Sequence, residues 1–162
     1  MKLGGGRLKG SAFERKVASM VVAAFAHKGI TKEDCYRTPA SGGHRFAKKS
    51  DPGDLVLSPR LLKIFPYSVE CKKYRGLDWP KLLSLDKDKG HWGEWWKQAC
   101  AAAAVGNASV EPLLVFSQNR SEAFAIMRLT PSWKPRPVLL TRILGQRVRV
   151  VRFAELLQYL AQ

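Results

Sequence analysis

Carboxylates are scarce in this chain: 13 Asp and Glu stand against 28 Lys and Arg among 162 residues, so those set in apolar surroundings carry information. Asp54 opens the apolar run Asp54-Leu55-Val56-Leu57-Ser58, directly after Pro52-Gly53. Sixteen residues later Glu70 and Lys72 bracket Cys71 in Tyr67-Ser68-Val69-Glu70-Cys71-Lys72. Side chains alternate along a strand, so Glu70 and Lys72 share one face while Val69 and Cys71 share the other. If the two runs pair, Asp54 and Glu70 converge on one point, and carboxylate oxygens are the ligands that hard Mg²⁺ prefers. A lysine beside such a pair would place positive charge near a scissile phosphate, or orient an attacking water. The same residues would also suit a solvated sheet face, and a second Glu-x-Lys, Glu14-Arg15-Lys16, stands in a helical pattern.

The elements that must hold these residues follow from periodicity and punctuation. Met1–Gly10 has four glycines with Lys2, Arg7 and Lys9, which predicts a flexible basic arm and leaves residues 11–162 as a single domain. Ser11 and Glu14 form a capping-box pattern, and Phe13, Val17, Met20, Val21, Ala24 and Phe25 recur at helical spacing, so a helix is expected over Ser11–His27 with Gly29 as its C-cap. Asp34–Thr38 reads as a short strand, Asp54–Ser58 as a second and Ile64–Tyr74 as its partner, joined through Ser58–Lys63. Gly76–Gly90 reads as a loop. A second helix, carrying Trp92, Trp95, Trp96, Ala99, Cys100 and Ala103, is expected to end near Gly106. Leu113–Ser117 and Ala123–Leu129 are further strands, Val138–Arg152 a hairpin turning at Gly145, and Phe153–Ala161 a terminal helix. This order predicts an α/β layer fold with a mixed central sheet flanked by helices.

The formal net charge is +15, which suits a polyanionic partner, held through Lys and Arg contacts to phosphates. Arg45, Lys48 and Lys49 in the Ala40–Gly53 stretch are candidate contacts to a phosphate backbone, with a solvated charged loop as the alternative. Trp92, Trp95 and Trp96 are expected in the core or at a subunit interface rather than stacked on bases. Cys35, Cys71 and Cys100 are odd in number and lack a C-x-x-C, so reduced thiols and no zinc site are expected. With no signal-peptide pattern and no apolar run approaching the ~20 residues of a membrane span, a soluble cytoplasmic protein without a membrane partner is expected.

Asp54 with Glu70-Cys71-Lys72 resembles the PD-(D/E)xK nuclease signature, and the wider arrangement resembles archaeal-type Holliday junction resolvases and their phage relatives. Glu14-Arg15 on the first helix and Arg37-Thr38-Pro39-Ala40-Ser41-Gly42 after the first strand match further motifs of that family in order, over about Gly10–Lys73. The resemblance implies a restriction-endonuclease-like fold and a homodimer that resolves four-way DNA junctions with Mg²⁺, or with Mn²⁺ as a substitute, and it makes a phage-encoded origin an expectation. It also implies roles. Asp54, Glu70, the carbonyl of Cys71 and Glu14 would hold the metal, and Lys72 would activate water. Ser41 would approach the scissile phosphate, while Arg15, Arg37 and Lys73 would contact DNA. Gly53 between Pro52 and Asp54, and the tryptophan-rich helix, depart from the family pattern.

Overall fold

The computed structural model describes residues 5–39, 53–84, 89–106, 110–119, 121–130 and 136–162. Helix α1 (Gly5–Phe25) buries Phe13, Val17, Val21 and Phe25, a stripe spaced by four residues that a 3.6-residue turn keeps on one side. It begins at Gly5, so Ser11 and Glu14 lie inside the helix rather than capping it, and Gly5–Gly10, read as part of a flexible arm, are helical. A 3₁₀ turn, Ala26–Lys28, follows and is closed by Gly29, whose φ of 76° needs the freedom of glycine.

Strands β1 (Cys35–Arg37) and β2 (Leu55–Leu57) pair antiparallel, with Arg37 opposite Leu55. This corrects the expected pairing of β2 with the Glu70 strand. Alternation of apolar residues says which face is buried but not which neighbour binds the backbone. A short helix, α2 (Pro59–Leu62), capped by the Ser58 side chain, occupies the expected connection. Strand β3 (Tyr67–Tyr74) then starts three residues later than Ile64. Within the expected Gly76–Gly90 loop lies another short helix, α3 (Trp79–Leu83), N-capped by Asp78 with a proline in its first turn.

Helix α4 (His91–Gly106) carries the chain across to β4 (Glu111–Gln118), which runs parallel to β3. Strands β5 (Ala123–Arg128), β6 (Leu139–Ile143) and β7 (Gln146–Arg152) complete a five-stranded mixed sheet of order β3-β4-β5-β7-β6. Leu144 and Gly145, both at positive φ, turn β6 into β7. Helix α5 (Phe153–Ala161) closes the chain.

Each face of the sheet has its own core. On one side α1 and α5 cover Val69, Leu113, Val115, Ala125 and Val151. On the other, Leu82 of α3 and Trp92, Trp95 and Trp96 of α4 cover Leu114, Phe116, Ile126 and Val150. The tryptophans, expected in the core or at a subunit interface, are taken up inside the fold: Trp92 and Trp96 are at most 2% exposed. The sheet flanked by helices is the expected α/β architecture. Among the described residues, no helix is long and apolar enough to cross a membrane.

Candidate functional site

Strand β3 forms one edge of the large sheet, and β2 delivers Asp54 to that edge. The Asp54 amide donates to the Val69 carbonyl at 2.8 Å, and the Asp54 carbonyl accepts from the Thr38 amide at 2.9 Å. Its carboxylate Oδ2 accepts from the Cys71 amide at 2.8 Å. Asp54 therefore bridges the small sheet to the large one without a ladder between β2 and β3. Gly53 makes this approach possible. At φ 85°, a Cβ there would lie 2.5 Å from the Val69 carbonyl oxygen, so only glycine lets the chain run this close to β3. The glycine that departs from the family pattern thus has a physical reason.

Glu70 and Lys72 share the other requirement, a common face of β3. They form an ion pair at 2.7 Å, with side chains 14% and 22% exposed, so both are largely enclosed yet reachable. The Cys71 side chain lies in the core with α1, where burial, followed by the charges of Asp54, Glu14 and Glu70, pushes its thiol well up; the thiol is thus a poor ligand, and only its backbone faces Asp54. An amide and carbonyl of one strand residue leave on the same edge, which puts the Cys71 carbonyl on the Asp54 side.

Glu14 reaches the same neighbourhood from α1. Its carboxylate is bound by the guanidinium Nε of Arg37 and is 11% exposed. Glu14 and Arg37, expected respectively as a metal ligand and a phosphate contact, thus pair with each other beside the site. Burial first, then the charge of Glu70 and, more weakly, of Glu14, pushes the Asp54 carboxyl up to about 7. Arg15 is exposed on α1. Lys73, on the opposite face of β3 from Lys72, lies over the Phe13 ring at 5.3 Å. Ser41, Arg45, Lys48 and Lys49 lie outside the described residues.

The donor set fits a hard divalent cation. Burial and the neighbouring Glu70 charge raise the pKa of the Asp54 carboxyl, a cost that a cation beside it would relieve. Mg²⁺ is commonly held by one or two carboxylates with water filling the remaining positions. Ser68, two residues before Glu70 on the same face, keeps a buried hydroxyl with no hydrogen-bond partner among the described residues, a polar group that a hydrated ion could satisfy. Among the described residues no three His, Cys, Asp or Glu side chains form a metal cage of their own, so the fit rests on Asp54, Glu70 and backbone oxygen.

Sequence reasoning singled out Asp54, Glu70 and Lys72 as candidates, but it assigned no role to Gly53 or Thr38. Thr38 is buried and clasps the Gly53 carbonyl with its hydroxyl at 3.0 Å. The signal available was Pro52-Gly53 ahead of an acidic residue, which marks a turn without saying what the turn approaches.

A family model described as "Phage putative PDDEXK endonuclease" matches residues 5–147. No curated protein and no solved structure was found to match the chain. The matched span contains α1, the small sheet and all of Asp54, Glu70 and Lys72. The chain therefore belongs to this family of phage PD-(D/E)xK endonucleases, nucleases of a superfamily that works with divalent metal ions, and its helix-flanked mixed sheet is their restriction-endonuclease-like fold.

Proposed function

We propose that this chain is a structure-selective endodeoxyribonuclease that resolves four-way DNA junctions by paired, symmetric phosphodiester hydrolysis, using Mg²⁺ with Mn²⁺ as a substitute. The observation that carries the nuclease part is the seating of Asp54 against β3, beside Glu70 and Lys72. Asp54, Glu70 and the Cys71 carbonyl would hold the ion. When bound, such an ion polarises a phosphoryl oxygen and makes its bound water a nucleophile.

The chain's own residues set the rest. Lys72, held at Glu70, sits where an attacking water or a phosphate oxygen needs a hydrogen-bond donor and a positive charge. Arg37, paired with Glu14, brings a positive charge beside the site that would attract a neighbouring phosphate. Thr38 binds both Gly53 and Asp54, so these described residues meet beside the site. Ser41, Arg45, Lys48 and Lys49 are proposed to meet the DNA backbone together with exposed Arg15.

Junction selectivity is supported by the ordered motifs from Glu14 to Lys72 and by the charge of +15. A two-fold homodimer would present two such sites to a substrate with matching pseudo-symmetry. The test is incubation of a labelled four-way junction, a linear duplex and a single strand with Mg²⁺ or EDTA, with products mapped to the nucleotide. Paired nicks at symmetric positions of the junction alone support the proposal. Equal cutting of duplex would make the chain another nuclease of the superfamily, and tight binding without cleavage would leave a non-catalytic DNA-binding protein.

A further inference from the structure

Beyond Lys72, the same face of β3 ends at Tyr74, which is 40% exposed despite packing at 4.8 Å, centroid to centroid, from Trp95. His91, with 66% of its side chain exposed, lies nearly parallel to Trp95 (13°, 5.8 Å) and also contacts Tyr74 at 5.8 Å. These three rings border a pocket of about 420 Å³ whose other walls include Leu77, Asp78 and Lys81. That volume is in the range of small-ligand sites, and aromatic walls with a polar rim suit a flat ring with exocyclic hydrogen-bonding groups. A phosphate backbone alone would have no use for the exposed rings of Tyr74 and His91, which Trp95 backs from the core. Strand geometry puts Tyr74 about 6–7 Å along β3 from Lys72 and roughly 13 Å from Glu70. At about 3.4 Å of rise per nucleotide, the pocket lies within a few nucleotides of a phosphate held at Glu70 and Lys72.

We infer that this pocket takes one unpaired nucleobase of the DNA, stacked against Tyr74 and the His91–Trp95 rings. The inference rests on the nuclease reading for its choice of DNA and deepens it by supplying a source of structure selectivity. A base inside a regular duplex is stacked and paired and cannot enter, whereas a base at a branch or in a single strand enters at little cost. Stacking accepts every base, because each has a π-face, so the pocket selects unpairing rather than sequence.

The test measures binding in EDTA, so that it does not depend on cleavage. Anisotropy titrations would use a four-way junction and a single strand, each with one abasic site stepped through successive positions, against wild type, Tyr74→Phe and Tyr74→Ala. The expected result is an abasic penalty of about 5- to 100-fold at one or two positions for wild type and Tyr74→Phe. Tyr74→Ala binds intact DNA more weakly by a similar factor and shows no further abasic penalty. His91→Ala, at a still more exposed ring, should reduce the penalty in the same way and serves if Tyr74→Ala fails to fold. No abasic penalty in wild type at any position, or an equal penalty in Tyr74→Ala, overturns the inference. An abasic penalty that depends on Tyr74 in a protein with no Mg²⁺-dependent cleavage would instead remove the nuclease reading and leave the pocket standing.

Discussion

Asp54 is fixed through its amide, its carbonyl and its carboxylate, with contacts to Val69, Thr38 and Cys71, and that rigidity is what a metal ligand requires. Gly53 sets the approach. Gly53→Ala combines a positive φ with a 2.5 Å overlap on backbone and should cost about 1–3 kcal/mol, lowering Tm by several degrees. Because the overlap displaces Asp54 itself, cleavage should fall by more than the stability loss explains; a thermal melt alongside an activity assay at low temperature separates the two. Lys72→Met keeps the stem of the side chain and removes its charge. It should lower kcat by about 10²–10³-fold while leaving metal affinity within a few-fold, measured by single-turnover cleavage across a Mg²⁺ titration. Unchanged kcat would remove Lys72 from the chemistry. Asp54 was expected beside Glu70 and Lys72 through a β2–β3 ladder that does not form. The Glu70–Lys72 pair was legible in the sequence because strand alternation alone places the two on one face. Gly53 and the Glu14–Arg37 pair were not, since both depend on contacts between segments 16 and 23 residues apart.

The small sheet and α2 are tied together by Asp34, which accepts from Ser58 Oγ at 2.7 Å, Arg60 Nη2 at 2.6 Å and the Thr31 amide at 2.9 Å. These bonds, Arg60 first, hold the Asp34 carboxyl well below the usual carboxylate range. A depressed folded-state pKa adds stability that is full above the unfolded value near 3.9 and is lost as pH falls below it. Denaturant melts from pH 6 to pH 2 should therefore show a steeper acid loss in wild type than in Asp34→Asn; parallel curves would show that the cluster contributes nothing. On the other sheet face, Trp96 is fully buried and its Nε1 donates to the Gln146 side chain at 3.1 Å. Trp96→Ala should cost about 3–5 kcal/mol by thermal or chemical denaturation, the usual penalty for emptying a core of an aromatic ring. Elements with a single strong period were legible: the terminal helix spans Phe153–Ala161 as expected, and the last hairpin turns at Gly145. Strand partners beyond that hairpin were less so. β2 chose β1, and β3 chose β4 across a connection that includes α3 and α4, because pairing is decided by topology rather than by alternation.

At the scale of the whole molecule, two cores on opposite faces of one sheet leave the β3 edge as the place where small sheet, helix α1 and large sheet meet, and the candidate site lies there. The layered α/β class was legible from the order of helical and strand periods. With a net charge of +15, DNA affinity should fall by about 10³-fold or more between 50 and 200 mM salt if six or more phosphates are contacted, and a flat salt dependence would rule out a phosphate-led interface. The central claim is that Asp54 anchors a metal-dependent phosphodiesterase site, and the most direct measurement is the rate of DNA cleavage by wild type and Asp54→Asn with Mg²⁺ and with EDTA. Cleavage that needs Mg²⁺ and falls by at least about 10²–10³-fold in Asp54→Asn, with folding and DNA binding retained, is the predicted result. Equal cleavage by the two proteins, or cleavage that persists in EDTA, would contradict it.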